Sequence, residues 1–301
     1  MCKITVVMST YNGSKYVEKQ IDSILSQKGV EVQLYVRDDG SKDSTVSILK
    51  SYASHHNNIM VSVGENVGWQ KSFMKALKDA PTSDYYAFAD QDDIWFEDKL
   101  SKGIEMMKNS CLKEYPLMYH CNKLSVDENL KPFVHQVRRT PRPLNRRNAM
   151  IQEYAQGCSI ILNNKAKELV TKYIPQTKLP HDFWCGLICY LFGKVIYDNH
   201  PRFYHITHGS NASGEGHMLK GWINRFKMLL SNGQVYYSPY KDLEVGYNSM
   251  LTQDDKSFIK KVVNYKNNIF DKLSLLFSRK FVRDSILGTI SLKATILVNK
   301  L

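Results

Sequence analysis

The sequence predicts an α/β protein built on a mostly parallel sheet. Short apolar runs alternate with segments of helical periodicity along the first third of the chain, and polar or acidic residues follow each run directly. Strand and helix alternating at this spacing favour parallel strands joined by right-handed crossovers. The chain has 301 residues, which is enough to bury a sizeable core.

Four apolar runs are predicted to be the first strands of this sheet. They span 3–9, 32–36, 59–63 and 85–89. Ligands of open α/β sheets bind beyond the carboxyl ends of the strands. Polar groups follow all four runs, at 9–12, 38–40, 64–66 and 90–93. We therefore expect these groups to converge on one binding edge.

Segments of helical periodicity separate the strands. The first covers 17–25, the second is expected to begin at a cap on Ser41 or Asp43, and the third covers 68–78. The following part of the chain, 96–215, has a less regular pattern. Its predicted elements are a helix after Phe96, strands over 117–119 and 158–162, a loop over 131–148 and a buried helix over 181–192.

Composition narrows the class of protein. Apolar residues make up 43% and charged residues 23%, as in ordinary globular enzymes. No apolar stretch reaches the ~20 residues that a membrane span needs, and the N-terminus lacks the order of a signal peptide. We therefore expect a cytoplasmic location. The six cysteines form no C-x-x-C pair and are expected to be reduced thiols.

The net charge of +12 is concentrated in the tail. Residues 256–301 hold ten Lys or Arg and two Asp, mixed with short apolar clusters. Such a segment suits peripheral contact with an anionic membrane surface, and a helical cap packed on the main domain is the alternative. The tail lacks the aromatic and glycine pattern of a base-stacking module, which argues against a nucleic-acid partner.

An acidic loop formed by Asp90, Gln91, Asp92 and Asp93 is a candidate metal site. Three carboxylates within four residues repel one another unless a cation lies among them. Oxygen ligands suit Mn²⁺ or Mg²⁺, which commonly bind substrate phosphates. A solvated acidic turn is the alternative, but the position of the loop after an apolar strand favours the metal.

A second acidic pair, Asp38 and Asp39, precedes a glycine turn. The simplest interpretation is a strand end followed by a turn and a helix cap. The functional interpretation is that one carboxylate accepts a hydrogen bond from a nucleobase or a ribose. We favour the second because both acidic loops are predicted to share one edge.

Several sequence blocks resemble the signatures of family-2 glycosyltransferases, which have the A-type glycosyltransferase fold with a Rossmann-like, mostly parallel sheet. These blocks are 10–13, 37–43, 66–68 and 88–95. The last of them, with 181–184 and 204–211, resembles a bacterial branch that includes rhamnosyltransferases of cell-wall and capsular polysaccharide synthesis. The resemblance implies inverting transfer from a nucleotide sugar, dTDP-L-rhamnose in that branch, to a lipid-linked glycan. A UDP-hexose donor is the alternative within the class.

The resemblance also implies roles at the matching positions. Residues implied to bind the nucleotide sugar are Thr10, Tyr11, Asn12, Asp38, Asp39, Asn66, Gly68, Lys71, Asp90 and Gln91. Asp92 and His208 would hold the metal, and Asp182 would be the general base. Contacts with the sugar or the acceptor are expected from Asp93, Trp95, Gly157, His181 and Trp184.

The Asp182 carboxylate has two compatible interpretations. It can take the proton of an acceptor hydroxyl, and it can also favour the start of a helix after Pro180. The implied layout is a catalytic domain over 1–215, with a nucleotide-binding half at 1–95 and an acceptor half at 96–215. Residues 216–301 would form a basic, mainly helical extension. The glycine-containing segment 209–217 is a candidate lid over the donor, and a simple exposed loop is the alternative. A sugar-nucleotide-binding scaffold without activity is a further alternative, and the sequence leaves the oligomeric state open.

Overall fold

The computed structural model describes residues 1–112, 114–136, 140–207 and 235–301. His208 and the segment 209–217 therefore lie outside the described residues. The chain divides into two compact units. Unit 1 consists of Met1–Arg142, Tyr154–Ile174 and Pro180–Gly209. Unit 2 consists of Pro143–Glu153, Pro175–Leu179 and Ser210–Leu301, so it takes two short segments from the middle of the chain.

Unit 1 is built on an eight-stranded mixed sheet, which confirms the predicted α/β class. Its strands are β1 (Lys3–Thr10), β2 (Glu31–Asp38), β3 (Ile59–Val63), β4 (Tyr85–Ala89), β5 (Asp93–Trp95), β6 (Leu117–Val126), β7 (Ile161–Asn163) and β8 (Lys194–Ile206). Their order is β3-β2-β1-β4-β7-β6-β8-β5. The first four strands pair in parallel as predicted, β6 pairs with β8 in parallel, and the remaining pairs are antiparallel.

Helices of unit 1 follow the predicted order. They are α1 (Val17–Leu25), α2 (Thr45–His55), α3 (Trp69–Asp79), α4 (Lys99–Asn109), α6 (Asn164–Thr171) and α7 (His181–Phe192). The expected cap of α2 is wrong in detail, because the residue before the helix is Ser44. The Ser41 hydroxyl donates to Asp38 instead, and the Asp43 carboxylate accepts the N–H of Thr45 at 3.0 Å.

The core of unit 1 lies between the sheet and its helices. Strand β1 is buried on both faces, as expected for a central parallel strand, with Ile4 and Val6 on one face and Val7 on the other, all inaccessible to solvent. Helix α4 approaches the sheet closely at Gly103, where an added Cβ would lie 2.5 Å from the Ile161 Cδ1 atom. Burial of each such side chain contributes about 1.5–3 kcal/mol, so this core holds the strand ends in place.

Three strands differ from the sequence expectations. Strand β5 is only three residues long and starts with an acid, so no apolar pattern marks it. Strand β8 contains a polar stretch over 198–201, where its register against β6 shifts. The strand predicted over 158–162 begins later, because Gly157–Ser159 forms a 3₁₀ turn before β7.

Unit 2 is helical in its described part, which confirms the predicted helical C-terminal region. It contains α5 (Arg146–Ala149), α8 (Tyr240–Tyr247), α9 (Gln253–Asn264), α10 (Ile269–Leu276) and α11 (Ile286–Leu297). Arg146 and Asp255 form a salt bridge at 2.7 Å that joins a mid-chain segment to α9. None of the helices in the described residues combines the length and the apolarity needed to cross a membrane.

Candidate active site at the carboxyl edge of the sheet

The loops that follow β1, β2 and β4 meet at one edge of the sheet. The Asp39 N–H donates to the Thr10 carbonyl at 2.8 Å and so joins the first two loops. The Gln91 side chain joins the first loop to the acidic loop, because its oxygen accepts the Tyr11 N–H at 2.9 Å and its amide donates to the Tyr11 carbonyl at 3.2 Å. The binding edge expected from the strand order is therefore present.

Asp38 is buried beneath this edge and its carboxylate is heavily hydrogen-bonded. One oxygen accepts the N–H groups of Gly40 at 3.1 Å and Ser41 at 2.8 Å. The other accepts the hydroxyls of Thr10 at 2.8 Å and Ser41 at 2.6 Å. Four hydrogen bonds use most of the lone-pair capacity of a carboxylate, so in this structure Asp38 shapes the loops.

Asp39 is also buried and organises the loop after β3. It accepts Arg37 Nη1 at 2.6 Å and the N–H groups of Val67 at 3.0 Å and Gly68 at 2.9 Å. Gly68 has φ of 83°, a left-handed conformation that favours glycine. Asn66, in the same loop, is exposed, and its side-chain oxygen also accepts the Gly68 N–H at 3.2 Å.

Exposed side chains at this edge are the ones available to a nucleotide. Tyr11 is 46% exposed. Asn12, Asn66 and Lys71 are also exposed. Asn12 lies in the left-handed region with φ of 47°, and its side-chain oxygen accepts the Lys42 N–H at 2.8 Å. These groups surround the buried carboxylates, and a bound donor would meet them first.

The acidic loop crowds carboxylates together. Asp90 and Asp92 are partly buried, and Asp93 is buried at the start of β5. Burial, followed by the charges of Asp93 and Asp92, raises the pKa of Asp90 well above its ordinary value. The Asp93 oxygen lies 2.9 Å from His205 Nδ1 on β8, so Asp93 anchors the loop to the sheet.

The donor atoms at this loop fit a hard divalent cation. Ligand atoms of Asp90, Asp93 and Cys158 lie within 4.8 Å of one another. Burial raises the pKa of the Cys158 thiol well above its ordinary value, and a neutral thiol is a poor ligand for Mn²⁺ or Mg²⁺. Asp93 gives one oxygen to His205, while its other oxygen is buried without a hydrogen-bond partner in the described residues, so Asp93 is a candidate ligand beside Asp90 and Asp92. A cation there would relieve the repulsion that raises the pKa of Asp90.

Asp182 lies in the first turn of α7. One oxygen accepts the Phe183 N–H at 2.8 Å and the other accepts the Gly157 N–H at 3.1 Å. The charge of Asp182 is one of the causes that raise the pKa of Asp90, so the two carboxylates are near enough to influence each other.

His181 and Gly157 form a buried support beside Asp182. The His181 ring stacks on Phe73 with centroids 4.0 Å apart and packs against Phe88 at 4.8 Å. Burial lowers the pKa of His181 to about 4, so the ring is neutral at physiological pH. A Cβ on Gly157 would lie 2.2 Å from the His181 Nε2 atom. Only glycine therefore fits against the ring.

Two tryptophans expected to contact sugar are core residues instead. Trp184 is fully buried and packs near Tyr173, and Trp95 belongs to the main hydrophobic cluster. This corrects the expectation, because neither ring reaches a surface where sugar could stack. Trp69 is the exposed alternative, at 41% exposure, with its ring edge-on to His181 at 6.1 Å. Its position directly after Gly68 was the only signal in the sequence.

Lys99 is a buried cation that sequence reasoning missed. Its Nζ lies 3.4 Å from the centroid of the Trp95 ring and has no hydrogen-bond partner within the described residues. Burial lowers the pKa of Lys99 to about 8, against an opposing effect from nearby groups that include Asp93. In the sequence this lysine is an ordinary polar residue at a helix start, so no pattern marks it.

We expect Lys99→Met to remove a pH-dependent component of stability. The pKa of Lys99 is about 8 in the folded protein and 10.5 in a free side chain. Between these values the unfolded chain binds more protons, so the folded wild type gains stability as pH rises. From pH ~7.5 to ~9.5 the free energy of unfolding of the wild type should rise by about 2 kcal/mol relative to that of the methionine variant. Guanidinium unfolding of both proteins at both pH values measures this gain. An equal change in the free energy of unfolding of the two proteins would contradict a buried lysine with a lowered pKa.

Comparison with known proteins places the site in a known family. The profile described as Glycosyl transferase family 2 matches residues 5–168, more than half of the chain. A protein named dTDP-rhamnosyl transferase RfbG from Shigella flexneri is 37% identical over 105 residues, which cover 33% of this chain and 36% of that protein. A putative teichuronic acid biosynthesis glycosyltransferase, TuaG of Bacillus subtilis, is 37% identical over 110 residues, 36% of this chain and 43% of that protein. The matches thus span less than half of either relative.

Solved structures agree on the fold. The S. aureus TarS 1-349 structure in complex with UDP-GlcNAc superposes with a TM-score of 0.59 at 17% identity, covering 93% of this chain and 78% of that one. The mannosyltransferase PcManGT from Pyrobaculum calidifontis, in complex with GDP-Man and Mn²⁺, has a TM-score of 0.51 at 14% identity, covering 99% of this chain and 86% of that one. At these identities the likeness establishes the fold alone.

Proposed function

The chain belongs to glycosyl transferase family 2, and from that premise we propose an inverting, metal-dependent glycosyltransferase in which Asp182 is the general base. The observation that carries the proposal is the placement of Asp182. Its carboxylate is held by two backbone N–H groups, and its charge is among the causes that raise the pKa of Asp90 in the acidic loop. A base on α7 and a cation site on the acidic loop would flank one reacting centre.

Asp182 would act on the acceptor. A sugar hydroxyl is a weak nucleophile at neutral pH, and a carboxylate within hydrogen-bond reach can take its proton as the new bond forms. The two N–H donors orient the carboxylate and leave lone pairs for the hydroxyl. Attack on the face of the sugar opposite the leaving diphosphate inverts the anomeric centre, so one carboxylate base is enough.

The donor diphosphate would lie between the acidic loop and the start of α3. Asp90 and Asp92 would hold Mn²⁺ or Mg²⁺, which when bound supplies positive charge to the leaving diphosphate. Lys71 is exposed in the first turns of α3 and would contact a phosphate. Tyr11 and Asn12 would line the base, while Asp38 and Asp39 hold the loops that carry these groups.

We propose dTDP-L-rhamnose as the donor. Support comes from the 37% identity with a protein named as a dTDP-rhamnosyl transferase, over a segment that includes a third of this chain. The alternative is a UDP-hexose, since the TarS structure that shares the fold binds UDP-GlcNAc. The proposed acceptor is a lipid-linked glycan of a bacterial cell-wall or capsular polysaccharide, in keeping with the relative named for teichuronic acid biosynthesis.

Donor screening of the purified chain tests this proposal. Calorimetric titrations with Mn²⁺ present would compare dTDP-L-rhamnose, UDP-glucose, UDP-GlcNAc and GDP-mannose. We expect dTDP-L-rhamnose to bind ~10-fold or more tightly than the others, as for a pocket that hydrogen-bonds its own base and sugar. Tighter binding of a UDP-sugar would overturn the proposed rhamnose donor but not the proposed glycosyltransferase activity. Failure to bind any nucleotide sugar would overturn the enzyme itself.

A further inference from the structure

Helices α10 and α11 of unit 2 form an antiparallel pair. Lys293, late in α11, donates to the carbonyls of Leu275 at 2.7 Å and Ser278 at 3.1 Å, at the end of α10. Lys272, early in α10, donates to the Leu297 carbonyl at 2.8 Å, at the end of α11. Opposite ends of the two helices therefore meet, and these lysines bind helix-end carbonyls as cations usually do.

The outward face of α11 is apolar. Ile286 is 82% exposed, Ile290 57% and Leu297 58%. Their spacing of four and seven residues puts them on one side of the helix. The opposite side is buried, with Leu292 and Ile296 inaccessible to solvent. The exposed side of a surface helix is normally polar, so apolar side chains on the side of α11 that faces solvent are unusual.

The outward face of α10 continues the same character. Phe270 is 79% exposed, Leu273 40% and Phe277 80%, at spacings of three and four residues. Ordinary protein surfaces expose large apolar side chains singly, whereas Phe270 and Phe277 are both exposed within one short segment. The exposed apolar residues of both helices, together called the apolar face, are Ile269, Phe270, Leu273, Phe277, Ile286, Leu287, Ile290, Leu297 and Val298.

Positive charge accompanies the apolar face. Arg279 and Lys280 are exposed directly after Phe277, and neither forms an ion pair within the described residues. The tail from 256 to 301 holds ten basic residues and two acidic ones. A second copy of the chain would bring the same positive charge to the interface. A nucleic acid would leave the apolar side chains in water. An anionic lipid surface satisfies both features, because headgroups attract the cations and the acyl boundary takes up the apolar side chains.

We propose that the apolar face of α10 and α11 docks on an anionic lipid bilayer. The aromatic and aliphatic side chains enter the boundary between headgroups and acyl chains, while Arg279 and Lys280 contact headgroup phosphates. The inference rests on exposure and charge in unit 2 and is independent of the donor and of Asp182. It places the transferase at the surface where a lipid-linked acceptor would reside.

Vesicle binding by the full chain tests the proposal. The probes are phosphatidylcholine vesicles with and without phosphatidylglycerol, and binding is measured by co-sedimentation. The apolar variant is Phe277→Ser with Ile286→Ser and Ile290→Ser, and the charge variant is Arg279→Glu with Lys280→Glu. The matched control is Val134→Ser, which alters a single apolar side chain of unit 1 that is 93% exposed.

Wild type and V134S should bind the anionic vesicles equally and bind pure phosphatidylcholine weakly. The apolar variant should lose ~10-fold or more of its partitioning, since several side chains no longer enter the bilayer. The charge variant should lose the preference for phosphatidylglycerol. Added salt should weaken the preference of the wild type in the same way. All five substituted positions of the apolar and charge variants are exposed, so circular dichroism should show unchanged melting.

Two results would overturn the proposal. One is that the apolar variant and the charge variant both bind vesicles as strongly as the wild type does. The other is a wild-type dimer in light scattering that becomes a monomer in the apolar variant without any change in vesicle binding, because the apolar face would then join two copies. Nucleotide titration of the same variants separates the proposals, since donor binding should remain at the wild-type level in each.

Discussion

Asp182→Asn should lower kcat by about 10²–10⁴-fold and leave donor affinity nearly unchanged. The substitution removes the proton acceptor and keeps the size of the side chain. The asparagine oxygen can still accept the Gly157 N–H that now lies 3.1 Å from Asp182. Its amide nitrogen cannot accept the Phe183 N–H, so we expect a small loss of stability at the start of α7. Because the general base acts only as the bond to the acceptor forms, its loss should appear in turnover.

Steady-state kinetics with calorimetric donor titration separate these effects. Asp79→Asn is the matched control, because Asp79 is an exposed carboxylate at the end of α3. D79N should turn over at the wild-type rate. A D182N enzyme at full rate would assign the base elsewhere, and a D182N enzyme that no longer binds the donor would give Asp182 a structural role.

Asp92→Asn should lower kcat/KM by ~10²-fold or more and raise the Mn²⁺ concentration that gives half-maximal activity. A carboxylate contributes a formal charge to a hard cation site that an amide cannot replace. The same change should bring the pKa of Asp90 closer to its ordinary value, because the charge of Asp92 is one of the causes that raise it.

Metal titration of activity and of nucleotide binding measures the effect of D92N. Cys158→Ala supplies the contrast, because its thiol lies in the deeper group with Asp90 and Asp93. We expect C158A to alter stability and to keep the wild-type metal dependence. If C158A altered the metal dependence and D92N left it unchanged, the cation would be assigned to the deeper group instead.

Local pattern was enough to predict the first half of the fold. Helix α1 and strand β4 begin and end where the periodicity indicates, since their apolar spacing is set within a few residues. Strand β5 depends on a partner far along the chain. Its first residue, Asp93, pairs with His205 across 112 positions. Nothing near Asp93 in the sequence marks that pairing, so the strand could not be predicted.

The site was predicted to the extent that motifs mark it. The acidic loop was singled out because three carboxylates follow a strand, and Asp182 because its sequence block resembles the family, so their roles stay predictions. The hydrogen bonds of Asp38 and Asp39 were not predictable, since their donors are backbone N–H groups and hydroxyls supplied by distant turns. Gln91 was expected to bind the donor, and its amide instead bonds the backbone of Tyr11 in this structure. His208 lies outside the described residues, so its metal role stays a prediction.

The composition of unit 2 has a consequence for how the chain is made. Arg146 lies 109 positions before Asp255, its salt-bridge partner on α9. During synthesis the segments 143–153 and 175–179 therefore leave the ribosome long before the helices that complete their unit. Once residue 206 has been synthesised, β8 can join the sheet of unit 1, while those segments still lack their partners. A nascent chain that stalls before α9 would carry the strands of unit 1 and the two mid-chain segments of unit 2 without the helices that complete unit 2.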